Sequence, residues 1–243
     1  MANGPRLKID IAAKRFAVLP MPLMVDFHLD IAASSVVALV GPSGVGKSSL
    51  LRMIAGIDND FEGTIDIDGV PAAEAPPAGF VFQDARLLPW LTAEDNIRVV
   101  RDETTAAAAQ ELLARVGLAG YGRAYPHELS GGMQRRAAIA RAFSVNPRLL
   151  LLDEPFVSLD RHLVNDVQRV FLDLVRDSRP TVILVTHLPE DAARLADRAI
   201  LLDGQPARIV GDVPLPGLRG TRTIEEIARL TDQISFSTAE MTL

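Results

Sequence analysis

Apolar positions along the chain fall into two kinds of run. Leu7, Ile9 and Ile11 alternate with polar neighbours, and so do Val25, Phe27, Leu29 and Ile31. A period of two sends successive side chains to opposite faces, so both runs predict half-buried antiparallel strands. Thr64–Asp68, followed by the Asp68-Gly69 pair, predicts a third strand that enters a tight turn. Val36–Val40, Leu149–Leu152 and Thr181–Thr186 differ in kind. They are apolar almost without a break, as parallel strands covered on both faces are.

Helical spacing separates these runs. Leu163, Val164, Val167, Val170, Phe171, Leu174 and Val175 fall on one stripe. Gly132–Val145 is rich in Ala and Arg and stops before Asn146-Pro147, and Pro189 is placed to open a short helix toward Asp197. Strands alternating with helices predict an α/β fold with a parallel core. From about Asp84 to Pro126 the strand signal vanishes, and Thr104–Val116 reads as helix. A helical subdomain inserted over about 84–147 is therefore expected. Past Gly211 the pattern weakens, with a modest helix near Ile224–Leu230. The expected division is one domain over 1–213 and a short C-terminal tail over 214–243.

Composition narrows the classes. The chain has 243 residues, enough for one large α/β domain or two small ones, and its 48% hydrophobic content excludes disorder. Its 25 basic and 31 acidic residues give a net charge of −6, which argues against a nucleic-acid partner. Cysteine is absent, so disulfide scaffolds, Cys-ligated zinc and thiolate chemistry are excluded. No apolar run reaches the ~18 residues of a membrane span. Met1–Pro5 lacks the charged-then-apolar layout of a signal peptide. A soluble, cytoplasmic, mildly acidic protein is expected.

Three short segments carry chemistry. Gly41-Pro42-Ser43-Gly44-Val45-Gly46-Lys47-Ser48 fits G-x-x-x-x-G-K-[ST], with a buried strand before it and a helical Ser48–Ala55 after it. Such a loop wraps backbone N–H groups around phosphate oxygens at a helix N-terminus. Lys47 would neutralise the outer phosphates, and the Ser48 hydroxyl would ligate Mg²⁺. The plain alternative is a glycine-rich turn with a surface lysine. Only Lys8, Lys14 and Lys47 exist in the chain, and one of them stands where the motif requires it. Asp153-Glu154 ends the run from Leu149, at the carboxyl end of a buried strand, where open α/β sheets bind ligands. Asp153 can hold a metal shell and Glu154 can polarise a water; alone, the pair is equally an ordinary strand-to-loop Asp-Glu. Leu129-Ser130-Gly131-Gly132-Met133-Gln134 opens a helix, offering a hydroxyl and exposed N–H groups to an anion or, more simply, capping the helix.

Together these segments resemble the ATP-binding subunits of ABC (ATP-binding cassette) transporters, over nearly everything from Leu7 to Gly211. Walker A is Gly41–Ser48, the Q-loop glutamine is Gln83, and the signature is Leu129–Gln134. Walker B is Leu149–Asp153 with Glu154 behind it, the D-loop is Ser158-Leu159-Asp160, and the switch histidine is His187. All stand in family order. The resemblance implies a RecA-like P-loop NTPase core with an antiparallel β subdomain and an inserted helical subdomain. It also implies ATP and Mg²⁺ as cofactors. Ser48, Gln83 and Asp153 would surround the metal, Glu154 would be the general base, and His187 would contact the γ-phosphate and that base. Residues 41–48 with Ser49, Lys47 above all, would hold the nucleotide. Ser130, Gly131, Gly132 and Asp160 would complete the nucleotide site of a second subunit. Phe16 lies where the family places an adenine-stacking aromatic; a core phenylalanine is the alternative. Ser34-Ser35 replaces the usual Gly-Glu, Arg135 replaces a common Gln, and Leu188 stands where Asp is usual.

Within the family, Ser130 follows Lys47 by only 83 positions, which leaves no room for long coiled coils, and there is one motif set and no fused membrane helix. The stretch from Phe82 to Trp90 and that from Asp153 to Asp160 resemble the nitrate/sulfonate/taurine-type importer ATPases. The implied partners are a second ATPase subunit (a homodimer or a related chain), an integral membrane permease and, indirectly, a solute-binding protein. The implied location is peripheral, on the inner face of the cell membrane. Thiamine-type importers, lipid or lipoprotein exporters and a free-standing nucleotide-binding regulator are the alternatives. Leu87, Leu88 and Trp90 form an apolar run that either docks a permease helix or packs the helical subdomain.

Overall fold

Strand β1 (Leu7–Lys14) buries alternate residues, with Leu7, Ile9 and Ile11 inward, as its period of two requires. It pairs antiparallel with β2 (Met24–Ile31), setting Ile9 opposite Leu29. The residues described are 4–156 and 161–239 of a computed structural model. In β3 (Val36–Val40) all five residues are buried. The chain then passes through residues 41–46 into α1 (Lys47–Ile54). β4 (Glu62–Ile67) returns to the other edge of β1, Ile65 opposite Ile9, and turns into β5 (Val70–Pro71). Asp68 and Gly69 have φ of 54° and 85°, the paired positive values of the predicted tight turn.

The chain divides into two compact units: Ala78–Arg179, and the segments before and after it. The middle unit begins with β6 (Gly79–Val81). Three helices follow: α2 (Ala93–Arg98), α3 (Ala106–Arg115) and α4 (Gly131–Ser144). Each is capped by the hydroxyl its sequence supplies. Thr92 accepts from the Asp95 N–H, Thr105 from that of Ala108, and Ser130 from that of Met133. β7 (Leu149–Asp153) is wholly buried and parallel to β6. α5 (Arg161–Ser178) turns Val167, Phe171, Leu174 and Val175 inward, with Val164 and Val170 half-buried. The Leu163 side chain lies outside the described residues.

The other unit resumes at β8 (Thr181–Thr186), wholly buried and parallel to β3. α6 (Pro189–Leu195) opens at the predicted proline. β9 (Arg198–Asp203) pairs parallel with β3 on its other side, and β10 (Arg208–Pro214) runs antiparallel to β9. The order in this unit is therefore β10-β9-β3-β8, with the most apolar strand central. α7 (Ile224–Ala239) is longer than the helix read over Ile224–Leu230. It buries Ile227, Leu230 and Ile234 along one stripe and packs on α6. Arg222, 8% exposed, anchors its start by donating to the carbonyls of Ala193, Leu215, Pro216 and Gly217. No described helix is long and apolar enough to cross a membrane.

Candidate active site

In the unit holding β3 and β8, Val40 stands opposite Thr186. Parallel register therefore delivers Gly41 and His187, the next residues of each strand, to the same edge. Gly41 is packed against β9: a Cβ there would lie 2.3 Å from the Leu202 carbonyl oxygen, so no larger residue fits. Gly46, just before α1, holds φ at 112°, where a side chain is strained. No side chain caps α1, so its first N–H groups face the loop. The Lys47 ammonium donates to the carbonyls of Gly41 and Pro42 at 2.7 and 2.8 Å. Pro42, Ser43 and Gly44 are exposed, Val45 is buried, and Ser48 and Ser49 are half-buried on the first turn. His187 is exposed on a turn that Thr186 organises. The buried Thr186 hydroxyl accepts from the Leu188 N–H at 3.0 Å and reaches Asp191 Oδ2 at 3.3 Å. Leu188, where the family has Asp, contributes its backbone to that turn. Ser34, which stands for the usual glycine, holds φ at 55°, and its N–H donates to Thr181 Oγ1. The glycine preference there is conformational.

The Ala78–Arg179 unit repeats the device. Val81 faces Leu152 across the parallel pair β6–β7, so Phe82-Gln83 and Asp153-Glu154 leave neighbouring strands at their carboxyl ends. Gln83 is exposed and Asp153 is 8% exposed. Glu154 has φ of 46°, a left-handed conformation for a non-glycine residue, of the kind found where a side chain must be aimed. Residues 82–92 have no regular structure and are pinned by side chains. Arg135, the departure from the family glutamine, donates to the Phe82 carbonyl at 2.6 Å. Arg141 donates to the carbonyls of Ala85 and Arg86 at 2.9 and 2.7 Å. Burial pushes both guanidinium groups below their ordinary values, and the Asp84 charge opposes this at Arg135. Asn96, wholly buried, binds Leu88 through both its backbone groups and also donates to the carbonyls of Leu91 and Thr92. Sequence reading found none of these three pins: an asparagine and two arginines on helices carry no local mark of what they hold.

The same helix α4 carries Ser130 at its N-cap, with Gly131 exposed and Gly132 buried beneath it. Gln134 secures the approach by donating to the Pro126 and Leu129 carbonyls. Trp90 is 69% exposed, which overturns packing of the helical subdomain as its role. Phe16 is half-buried, with the Lys14 ammonium 4.5 Å from its ring centroid, so it is not an ordinary core phenylalanine. Asp160 and the rest of Ser158-Leu159-Asp160 lie outside the described residues.

The donors suit the group expected. Each donor is a hard oxygen of the kind that suits Mg²⁺: the Ser48 hydroxyl in one unit, and the Gln83 amide oxygen and the Asp153 carboxylate in the other. The phosphate loop, with Gly46 at positive φ, the uncapped helix start and a lysine beneath, matches a polyphosphate.

A sequence profile of the ABC transporter family matches residues 24–157. The aliphatic sulfonates import ATP-binding protein SsuB of Bacillus cereus is 39% identical over 213 residues, 84% of each chain. The Bacillus subtilis protein of that name is 42% identical over 195 residues, 78% of this chain and 76% of its own. Among solved structures, the ATP-binding cassette MJ0796 in a dimeric, post-hydrolysis state bound to ADP and Pi superposes with a TM-score of 0.77 at 28% identity. That match covers 87% of this chain and all of the other. The α/β P-loop NTPase architecture read from the sequence is the one found.

Proposed function

The chain belongs to the ABC transporter family as an ATP-hydrolysing subunit, and from that premise we propose that it dimerises around Mg-ATP and powers a separate importer permease. The observation that carries this reading is the register of two parallel strand pairs, Val40 with Thr186 and Val81 with Leu152. The first brings Gly41 and His187, and the second Phe82-Gln83 and Asp153-Glu154, to adjoining strand ends. Residues 1–213 form the ATPase domain in this reading, with a helical subdomain at about 84–147, and residues 214–243 a C-terminal tail.

The roles follow from the chemistry of each group. The loop N–H groups of residues 41–49 and Lys47 bind and orient the phosphates, a charge-assisted arrangement that fixes the γ-phosphate in place. Ser48, Gln83 and Asp153 would hold Mg²⁺, which supplies positive charge against the phosphate oxygens. A Glu154 carboxylate oxygen takes the proton from the attacking water as its oxygen bonds to phosphorus and the β–γ bridge breaks. His187 donates to the γ-phosphate and steadies the base. Ser130, Gly131, Gly132 and Asp160 belong to the site of the facing subunit, so a lone subunit is nearly inactive. Phe16 stacks on the adenine.

Relatives at about 40% identity that are named for sulfonate import support an organic sulfonate as the solute class. A permease and a solute-binding protein complete such a system, with this chain peripheral on the inner face of the membrane. The exposure of Trp90 supports permease docking by the run it ends. The direct test is Mg²⁺-dependent ATPase activity of the purified chain, alone and reconstituted with its cognate permease, with and without sulfonate and binding protein. Lys47→Ala is expected to abolish nucleotide binding in a folded protein. Wild-type affinity in that variant would refute the assigned phosphate loop, and absence of sulfonate stimulation would refute the solute class alone.

A further inference from the structure

Lys14, the last residue of β1, is 1% exposed. Its ammonium donates to Asp58 Oδ1 at 2.8 Å and to the Asp60 carbonyl at 2.7 Å, with the Asp60 carboxylate 3.8 Å away. The same nitrogen stands 4.5 Å from the centroid of the Phe16 ring. A buried ammonium tied to a carboxylate and a carbonyl has one position, and an aromatic ring attracted to it shares that constraint. Strand pairing carries the arrangement to the phosphate loop. Lys14 faces Met24 across β1–β2, and its carbonyl accepts from the Leu23 N–H at 2.8 Å. A Cβ at Gly46 would lie 3.0 Å from Met24 Cε and 3.1 Å from Leu23 Cγ, so this corner is packed directly on the loop. Residues 19–23 line a cavity of ≈ 130 Å³ with Gly44 and Val45.

We propose that Lys14 is the positioning residue for nucleobase recognition: it fixes one face of Phe16 and draws ring electron density toward itself, leaving the other face for a purine beside the phosphate loop. Stacked π systems repel where both faces are electron-rich, and a cation behind one ring relieves that repulsion. A ring with no cation behind it would turn freely and stack more weakly. The inference rests on the reading of Phe16 as the adenine-stacking aromatic.

The experiment separates the two ideas. ATP and tripolyphosphate affinities of the full chain are measured by calorimetric titration for the wild type, Phe16→Ala and Lys14→Met. Lys14→Met is expected to weaken ATP roughly tenfold while tripolyphosphate stays within about twofold, and Phe16→Ala to do the same. An ATP-specific loss in Phe16→Ala with none in Lys14→Met would overturn the role of Lys14 and leave the stacking reading intact. No ATP-specific loss in Phe16→Ala would overturn the stacking reading itself, and the inference with it. Equal loss of both ligands in Lys14→Met would make the lysine a scaffold residue and refute its role at the base. If circular dichroism shows Lys14→Met unfolded, Asp58→Ala, which removes the carboxylate that holds the ammonium behind the ring, is read by the same two titrations. An ATP-specific loss there supports the proposal; unchanged or equal affinities refute it.

Discussion

Asn96 and Leu88 form a closed pair: the Leu88 N–H donates to Asn96 Oδ1 at 2.7 Å, and Asn96 Nδ2 returns a bond to the Leu88 carbonyl at 3.1 Å. The same amide holds the Leu91 and Thr92 carbonyls at 3.0 Å each. One buried side chain thus does for this loop what a strand partner does elsewhere. Asn96→Ala would strand several of these groups at a cost of about 2 kcal/mol, the unmade-bond penalty for a buried site. For a chain of this size the expected fall in melting temperature is on the order of 5 °C. Asn96→Asp, which keeps the acceptor for the Leu88 N–H but aims a buried carboxylate at three carbonyl oxygens, should melt at least as low. A thermal melt of both variants gives the answer, and wild-type melting in Asn96→Ala would refute the pinning role.

Trp90 lies within that pinned loop and is 69% exposed. Trp90→Ala should leave the melting temperature and basal ATPase unchanged, because little packing and no phosphate contact is lost. Assembly with the permease should weaken by roughly 2 kcal/mol or more if the indole is an interface anchor. Co-purification from membranes, measured beside the melt, decides it: normal assembly would eliminate the docking role.

Glu154→Gln keeps the shape of the side chain and removes its capacity to accept a proton. Hydrolysis should slow by ~10²-fold or more, with ATP binding retained. Because turnover then no longer dissociates the sandwich, Mg-ATP should trap a dimer visible by light scattering. A variant that hydrolyses normally, or stays monomeric with Mg-ATP bound, would contradict the assignment.

Arg198 and Asp212 join β9 and β10 through two bonds, at 2.7 and 2.6 Å. The hydrogen bond from Arg198, with its charge, holds the Asp212 carboxyl below the usual carboxylate range. The sign follows: the stabilisation is complete above the unfolded carboxylate pKa of about 4 and is lost as pH falls through the lower folded value. Both side chains are partly exposed, so its size is about 0.5–1 kcal/mol. Asp212→Asn should melt slightly lower than wild type at pH 7, and the gap should close in strong acid. A gap that persists undiminished there would show that the carboxylate charge is not its source.

The sequence shows the local parts of this architecture and conceals the long-range ones. Val36–Val40 and Thr181–Thr186 are read to the residue because continuous apolar runs have a single interpretation beside Gly41 and His187. Asp68-Gly69 gives its turn because only certain residues accept positive φ. By contrast, β6 has three residues and no period to detect, yet it brings Phe82-Gln83 and Asp153-Glu154 to the ends of neighbouring strands. β9 and β10 escape notice because the run at residues 199–202 is short and the pairing slips between Ile209 and Gly211, which breaks the alternation. Lys14 shows the same limit. Nothing in its neighbours in sequence reveals that Asp58, 44 residues on, will bury it.

The lone tryptophan gives the molecule its own optical reporter. Every photon of indole emission comes from position 90, since the chain has no second tryptophan. An indole 69% exposed emits at the long-wavelength end of its range, quenched by iodide from the solvent. Any surface that covers it should shift that emission toward the blue and shield it from the quencher. Because residues 88–92 are pinned by Asn96, such a change reports a covering surface rather than a wandering loop.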